Sequence, residues 1–309
     1  MKRPTYRLLD STFSIDDFPF VVGQTYRARD PVDLTEGGFV SWDYPLFMFS
    51  CTDRLLARYA LNEVAGSVVH RGELVYSEVL SVLQELRLDE VIDHAVAWAV
   101  THGDTPRETS HRYGGPGVYL EKVAACDGDH ASASAAGVRT SAVGRGMFSS
   151  AATAGFNGIA ASGGENCSSA ASGATSIAVA CGTSATAAAS GHFSRAAASG
   201  RRSKAVAAGE DIYAECAGAQ SVAAAIGRSA IAKGTAGSLL VLIHYDKAGN
   251  PLRAVSAVAS EDGPVKPDVW YKLDDDGRFV PAEILGVIVH RSKRTRTPAS
   301  RKAGWRRVD

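Results

Sequence analysis

Between residues 128 and 235 small apolar residues alternate with variable, often polar ones inside a frame nine residues long, and a glycine opens every frame. Counting that glycine as position zero, position five is Ala in eleven of the twelve frames and Ser169 in the other. Position seven never exceeds Thr or Cys in size, and position three is equally small except for Ile212. Positions four and six accept Arg195, Lys204, Tyr213, Glu215 and Lys233. A period of two with one small face is the pattern of a strand, so positions three, five and seven point inward and four and six outward. A glycine in every ninth place would cost a helix about 1 kcal/mol per frame, whereas a tight corner uses its backbone freedom. A disordered Ala/Gly/Ser linker has no need to keep register over 108 residues. The repeat therefore predicts a β-solenoid.

Two frames, about 18 residues, make one turn in this reading. A three-sided coil has a wider interior that calls for Val, Ile or Leu, while Ala and Ser fill only the gap between two closely apposed sheets. Sorting the outward columns by alternate frames also separates two faces. Position four reads Ser141, Ile159, Ile177, Arg195, Tyr213, Ile231 on one face and Ser132, Ser150, Ser168, Thr186, Lys204, Val222 on the other. The first row, with Val143 and Val179 beside it at position six, forms an apolar strip, and such a strip marks a contact. Val143, Ile159, Ile177, Val179, Arg195, Tyr213 and Ile231 are thus expected to form an interface, most simply with a second copy of the chain in a two-fold dimer, with Arg195 placed to pair with Glu215 of its own face or of the neighbouring copy. Calcium-binding nonapeptide rolls need an Asp column and ice-binding solenoids a flat rank of Thr; neither is present.

The flanks carry different periods. YRLL, FPFVV, GGFVSW and the Val-rich stretch near Val68 read as strands. Leu88, Val91, Ile92, Ala95, Val96 and Ala99 follow the i, i+3, i+4, i+7 rule, predicting a helix over 88–101 with Asp89 and Glu90 in its first turn. Gly103 to Tyr119 reads as a loop. Beyond the repeat, SLLVLIHY and PLRAVSAVA predict a hairpin across DKAGN, and VWYKL with RFV a second across DDDG. The expected organisation is mainly β: an N-terminal α+β domain (1–125), the solenoid (126–236), a C-terminal β-hairpin module (237–285) and a basic, disordered tail (286–309). Bulky modules at both ends would cap the strand edges that an open solenoid exposes.

Charge sharpens only the tail. The chain balances 33 Lys+Arg against 33 Asp+Glu, but eight of those bases lie after residue 290, which leaves the first 290 residues at net −7. Arg294, Arg296, Arg301, Lys302, Arg306 and Arg307 could contact nucleic acid, with Trp305 stacking on bases. Five cysteines in 309 residues are too few and too irregular for a disulfide scaffold. With no apolar run of signal-peptide or membrane-spanning length, the expectation is a cytoplasmic (host-cell) or virion-associated protein with no membrane partner.

GGFVSWDYPLFMF, then GELVYSEVLSVLQELRLDEVI, the Gly/Ser/Ala repeats, AKGTAGSLLVLIHYD and VKPDVWYKLDDDGRFV together resemble uncharacterised proteins encoded by phages and prophages, over about residues 5 to 280. The resemblance implies a viral or prophage origin and the three-part layout, and it carries no activity. The chain departs from the pattern at Val40, where a His is expected after GF.

Candidate chemistry is sparse. Phosphate loops, HExxH helices and paired CxxC motifs are missing from the sequence. Cys126, Asp127, Asp129 and His130 are near-consecutive and read as a solvated corner, so neither a metal nor a cofactor is expected. Cys167, Cys181 and Cys216 occupy small-residue slots or corners and read as space-filling thiols, and His94 falls on the polar side of the helix. YRARD followed by GGFVSWDYPL is loosely similar to the cofactor clefts of ADP-ribosyltransferases, which would make Tyr26, Arg27, Ser41 and Tyr44 pocket residues of a nucleotide-using enzyme. The leading expectation is instead a non-catalytic phage or prophage protein in which the solenoid spaces two terminal modules and acts by protein interaction.

Overall fold

A Cβ placed on Gly146 would lie 2.3 Å from the carbonyl oxygen of Gly128, and the same clash, with the glycine 18 residues earlier, recurs from Gly155 to Gly227. That stacking, together with φ values of 109° to 137° at the corners from Gly128 to Gly218, is why position zero admits only glycine. The computed structural model describes residues 4–10, 12–15, 18–28, 34–51, 57–71, 74–102, 107–110, 118–121, 123–282 and 305–308, and the statements below concern these.

The N-terminal module contains β1 (Pro4–Leu9), β2 (Ser14–Ile15), β3 (Phe18–Pro19), β4 (Thr25–Ala28), the short helix α1 (Leu34–Gly37), β5 (Phe39–Trp42), a 3-10 turn (Pro45–Cys51), β6 (Arg58–Arg71), β7 (Leu74–Leu86) and α2 (Leu88–His102), followed by the short pair β8 (Arg107–Ser110) and β9 (Val118–Glu121). Strand pairing closes on itself, since β7 pairs with β5 and β4 along one edge and β6 along the other, while β1 bridges β6 and β5. Leu9, Phe13, Phe20, Tyr26, Phe39, Val75 and Leu80 fill one core of this module. The helix and most strands stand where periodicity puts them, but LVYSEVLSVLQEL, read only as part of a family pattern, is the long strand β7 that joins the sheet together. FPFVV supplies only the two-residue β3, and the expected loop of 103–119 contains β8 and the first two residues of β9, the rest of it lying outside the described residues.

The solenoid strands are β10 (Val123–Asp127), β11 (Ser132–Ala136), β12 (Ser141–Arg145), β13 (Ser150–Ala154), β14 (Ile159–Gly163), β15 (Ser168–Ser172), β16 (Ile177–Cys181), β17 (Thr186–Ser190), β18 (Arg195–Ser199), β19 (Lys204–Glu210), β20 (Tyr213–Ala217), β21 (Val222–Arg228), β22 (Ile231–Gly234) and β23 (Leu239–Tyr245). Even-numbered strands stack in parallel into one sheet and odd-numbered strands into the other, the two-sided coil of about 18 residues per turn. About seven turns cover residues 123–242, one strand more at each end than the glycine column marks. The last coil is one residue short, because Val222 pairs with Leu239 while every earlier partner lies 18 residues on. Between the sheets lie Ala142, Ala160, Ala178, Ala187, Ala205, Ala223 and their neighbours, with Cys167 and Ile212 at position three. Hydrogen bonds continue from coil to coil around the corners: the amide of His130 donates to Met147 O and that of Ser150 to Ala131 O. Position two of each frame, from His130 to Ser229, takes a positive φ of 52° to 60° without being glycine, a cost that this continuous bonding offsets.

At the far end β24 (Pro251–Val258) folds back antiparallel on β23 with a bulge at His244/Tyr245. Strand β25 (Tyr271–Leu273) pairs with β22 and forms a hairpin with β26 (Phe279–Pro281). Leu240, Leu242, Ala259, Val265 and Tyr271 close the apolar end of the solenoid, so both expected hairpins are present and act as its cap. One element overturns the expectation of a disordered tail throughout: β27 (Trp305–Val308) adds to the edge of β4. Among the described residues no helix is long and apolar enough to cross a membrane.

Candidate interaction faces

The apolar row of the even-strand sheet is covered by the chain itself. Val143, Ile159, Ile177 and Val179 are buried in a cluster with Val91, Ile92, Ala95, Val96 and Ala99 of α2 and Leu46, Phe47 and Met48 of the 3-10 turn. The sheet therefore reads buried at successive positions, as in β14 and β16, while the opposite sheet alternates buried and exposed. The strip is a contact, but what sits on it is the N-terminal module of the same chain, and a homodimer through this face is not compatible with that burial. Arg145 marks the same junction, its guanidinium 2.5 Å from Asp127 of its own sheet and 3.4 Å from Asp93 on α2. His94 is likewise part of the packing, its Nδ1 3.2 Å from the Tyr6 hydroxyl, whose pKa burial pushes up to about 12.

Further along the face the row turns polar. Glu215, buried, pairs with Lys233 of the next coil, and the Lys233 ammonium lies 5.3 Å from the Trp270 ring centre. Arg195 is nearly buried in the same row, Tyr213 packs edge-on to Trp270, and Ile231 is half-buried. A charged pair taken out of water needs such company, because an isolated buried charge is strongly unfavourable.

The odd-strand sheet is open. On β13, β15 and β17 the outward Ala152, Ala154, Ala170, Ser172, Ala188 and Ser190 are exposed, and Lys204 is the one charge at outward positions four and six of β11 to β21. The charges of the repeat sit instead mostly at corners and strand ends, as at Asp129, Glu165, Arg201, Asp211 and Arg228.

The tail residues divide. Trp305 lies in a cage of Phe18, Phe20 and Phe39, at centroid distances of 5.4, 6.0 and 4.9 Å, with the Arg7 guanidinium 5.3 Å from its ring, and its Nε1–H donates to Gly37 O at 3.1 Å. Its ring faces are occupied, which corrects the expectation that it stacks on bases. Arg306 and Arg307 are exposed, whereas Arg294, Arg296, Arg301 and Lys302 lie outside the described residues.

The remaining candidates are dispersed. Asp127 pairs with Arg145, Asp129 accepts from Met147 N, His130 stacks on Phe148, and Cys126 packs beside Gly144. No group of three possible metal ligands is found among the described residues. Burial raises the thiol pKa of Cys126, Cys167 and Cys181, and that of Cys216 to about 11. Tyr26 is buried against Phe18 and Phe20, Arg27 faces Glu78, and Tyr44 packs on Trp98 in the other cluster. Tyr26 and Ser41 pair with Leu80 and Val75 of β7, five residues or ~16 Å apart along that strand. Sequence reasoning missed the Arg7 cage and the pairing partner of Trp305; a lone WRRV after a basic run signalled charge and gave no sign of the aromatic residues that receive it. Comparison with known proteins adds nothing to this geometry: no family model, no curated protein and no solved structure matches the chain.

Proposed function

We propose that this chain is a non-catalytic interaction protein of phage or prophage origin, acting in the host cytoplasm or on a virion, whose solenoid is a rigid mount with one face given to its own N-terminal module and the other left for association. The observation that carries the reading is the opposite treatment of two faces built from one repeat: one is sealed by α2, the other is open and almost free of charge. The resemblance to phage and prophage proteins supports the origin. A second copy is the simplest occupant of the open face, because its outward Ala and Ser ranks have the composition of the inward ranks that already pack sheet on sheet in the solenoid. Seven strands of five residues offer ~550 Å² per copy, or ~1,100 Å² in total, near the lower end for a stable interface.

Solution mass from micromolar to hundreds of micromolar tests the reading. The wild type is expected to gain mass from monomer toward dimer over that range, and Ala152→Glu with Ala188→Glu to associate clearly more weakly with an unchanged melting temperature. A wild type that is monomeric throughout, or a Glu variant that dimerises equally well, overturns it.

A further inference from the structure

Strand β27 is held in a way unlike every other strand of its sheet. Of its four residues only Trp305 is substantially covered, while Arg306, Arg307 and Val308 are exposed. Its register sets Trp305 opposite Ala28, Arg306 opposite Arg27, Arg307 opposite Tyr26 and Val308 opposite Thr25. Two arginines directly across an antiparallel ladder repel, and Glu78, 3.7 Å from Arg27, only partly offsets them. Attachment therefore concentrates in one indole, enclosed by Phe18, Phe20 and Phe39, set against the Arg7 guanidinium and hydrogen-bonded to Gly37 O. A single buried aromatic anchor plus a short backbone ladder is how a sheet edge binds an extended peptide. Twenty-two residues separate Ala282 from Trp305, a length that reaches at most ~75 Å. That reach exceeds the ~34 Å length of a seven-turn solenoid, so a neighbouring molecule lies within range.

We propose that the β4 edge and the Phe18–Phe20–Phe39–Arg7 cage form a strand-acceptor site that takes the Trp305–Val308 segment of a second copy of this chain as well as its own, so that copies link by exchanging C-termini. The site is on the N-terminal module and independent of the open solenoid face.

Full-length Arg27→Cys and Arg306→Cys proteins, mixed at tens of micromolar with oxidised glutathione as oxidant, test it, because the two positions face each other in the ladder. Disulfide formation between the two thiolates, with reduction of glutathione disulfide to two glutathiones, should yield a covalent heterodimer on a non-reducing gel. Adding Trp305→Ala to the Arg306→Cys partner should lower that yield about tenfold or more, the loss expected for a single anchor residue. The Ala152→Glu, Ala188→Glu background should leave the yield unchanged, which separates this site from the open face. The chain carrying both cysteines should close the bond internally. A double variant that fails to close, a mixture that gives no linked pair although the double variant closes, or a linked pair indifferent to Trp305→Ala each overturns the proposal.

Discussion

Ile92 of α2 and Gly163 of β14 touch across the junction of module and solenoid: a Cβ on Gly163 would come within 3.3 Å of Ile92 Cγ2. The helix rests so closely on the sheet that even a methyl group at this position would crowd Ile92.

Removing the helix side of this contact leaves a cavity. Ile92→Ala, at a fully buried position, should cost ~2–5 kcal/mol in urea unfolding. Gly163→Leu should destabilise by overpacking, while Val100→Ala, at an exposed position of the same helix, should change little. Equal midpoints for Ile92→Ala and Val100→Ala would contradict the docking. By the same reasoning Ile159→Ser with Ile177→Ser should lower the melting temperature rather than dissociate a dimer.

Inside the solenoid, Ala178→Leu or Ala187→Leu should overpack the gap between sheets and cost ~1–3 kcal/mol or more. Ser150→Leu on the open face should cost little. Ala161, outward but under the N-terminal module, should behave like the inward class. Thermal unfolding of the four variants checks the order.

The corner glycines should differ by position in the stack. Gly164→Ala brings a Cβ to 2.3 Å from Gly146 O at a φ of 127°, whereas Gly128→Ala, with φ 118°, meets nothing within 4 Å. Both bear backbone strain of about 1–3 kcal/mol, and only the first adds a clash. Gly164→Ala should therefore melt clearly below Gly128→Ala.

Lys233→Ala leaves the buried Glu215 without its ammonium, a loss of about 3–5 kcal/mol for a broken buried pair. Lys233→Ala combined with Glu215→Ala should recover part of it. Chemical denaturation of the three proteins decides, and a double variant less stable than the single one would count against a dominant ion-pair effect.

Burial of Cys216 lifts its thiol from 9.0 to about 11. Between those values the unfolded chain has released a proton that the folded chain still holds, so this group's contribution to stability falls as pH rises from about 9 to about 11. The stability of wild type relative to Cys216→Ala should decline over that window and stay level below it, as read from denaturant midpoints at each pH.

The sequence by itself determined the solenoid, its two-frame turn, the inward small columns, the helix stripe and the capping hairpins, because each follows from a short-range rule: a glycine that tolerates no Cβ in the stack, a period of two, a period of 3.6, a turn between alternating runs. It also supplied both halves of the central interface, the Val91–Ile92–Ala95–Val96–Ala99 stripe and the Val143–Ile159–Ile177–Val179 row, as separate apolar surfaces. Only the tertiary structure decided that they cover each other. Periodicity states that a surface must be buried but does not state against what, and two stripes on one chain meet at an effective concentration that a second copy cannot match. The same holds for Trp305: its neighbours in sequence are charged, while its neighbours in space, Phe18, Phe20, Phe39 and Arg7, lie 266 to 298 residues away and are brought to it by a strand whose four residues carry too little pattern to be read as one.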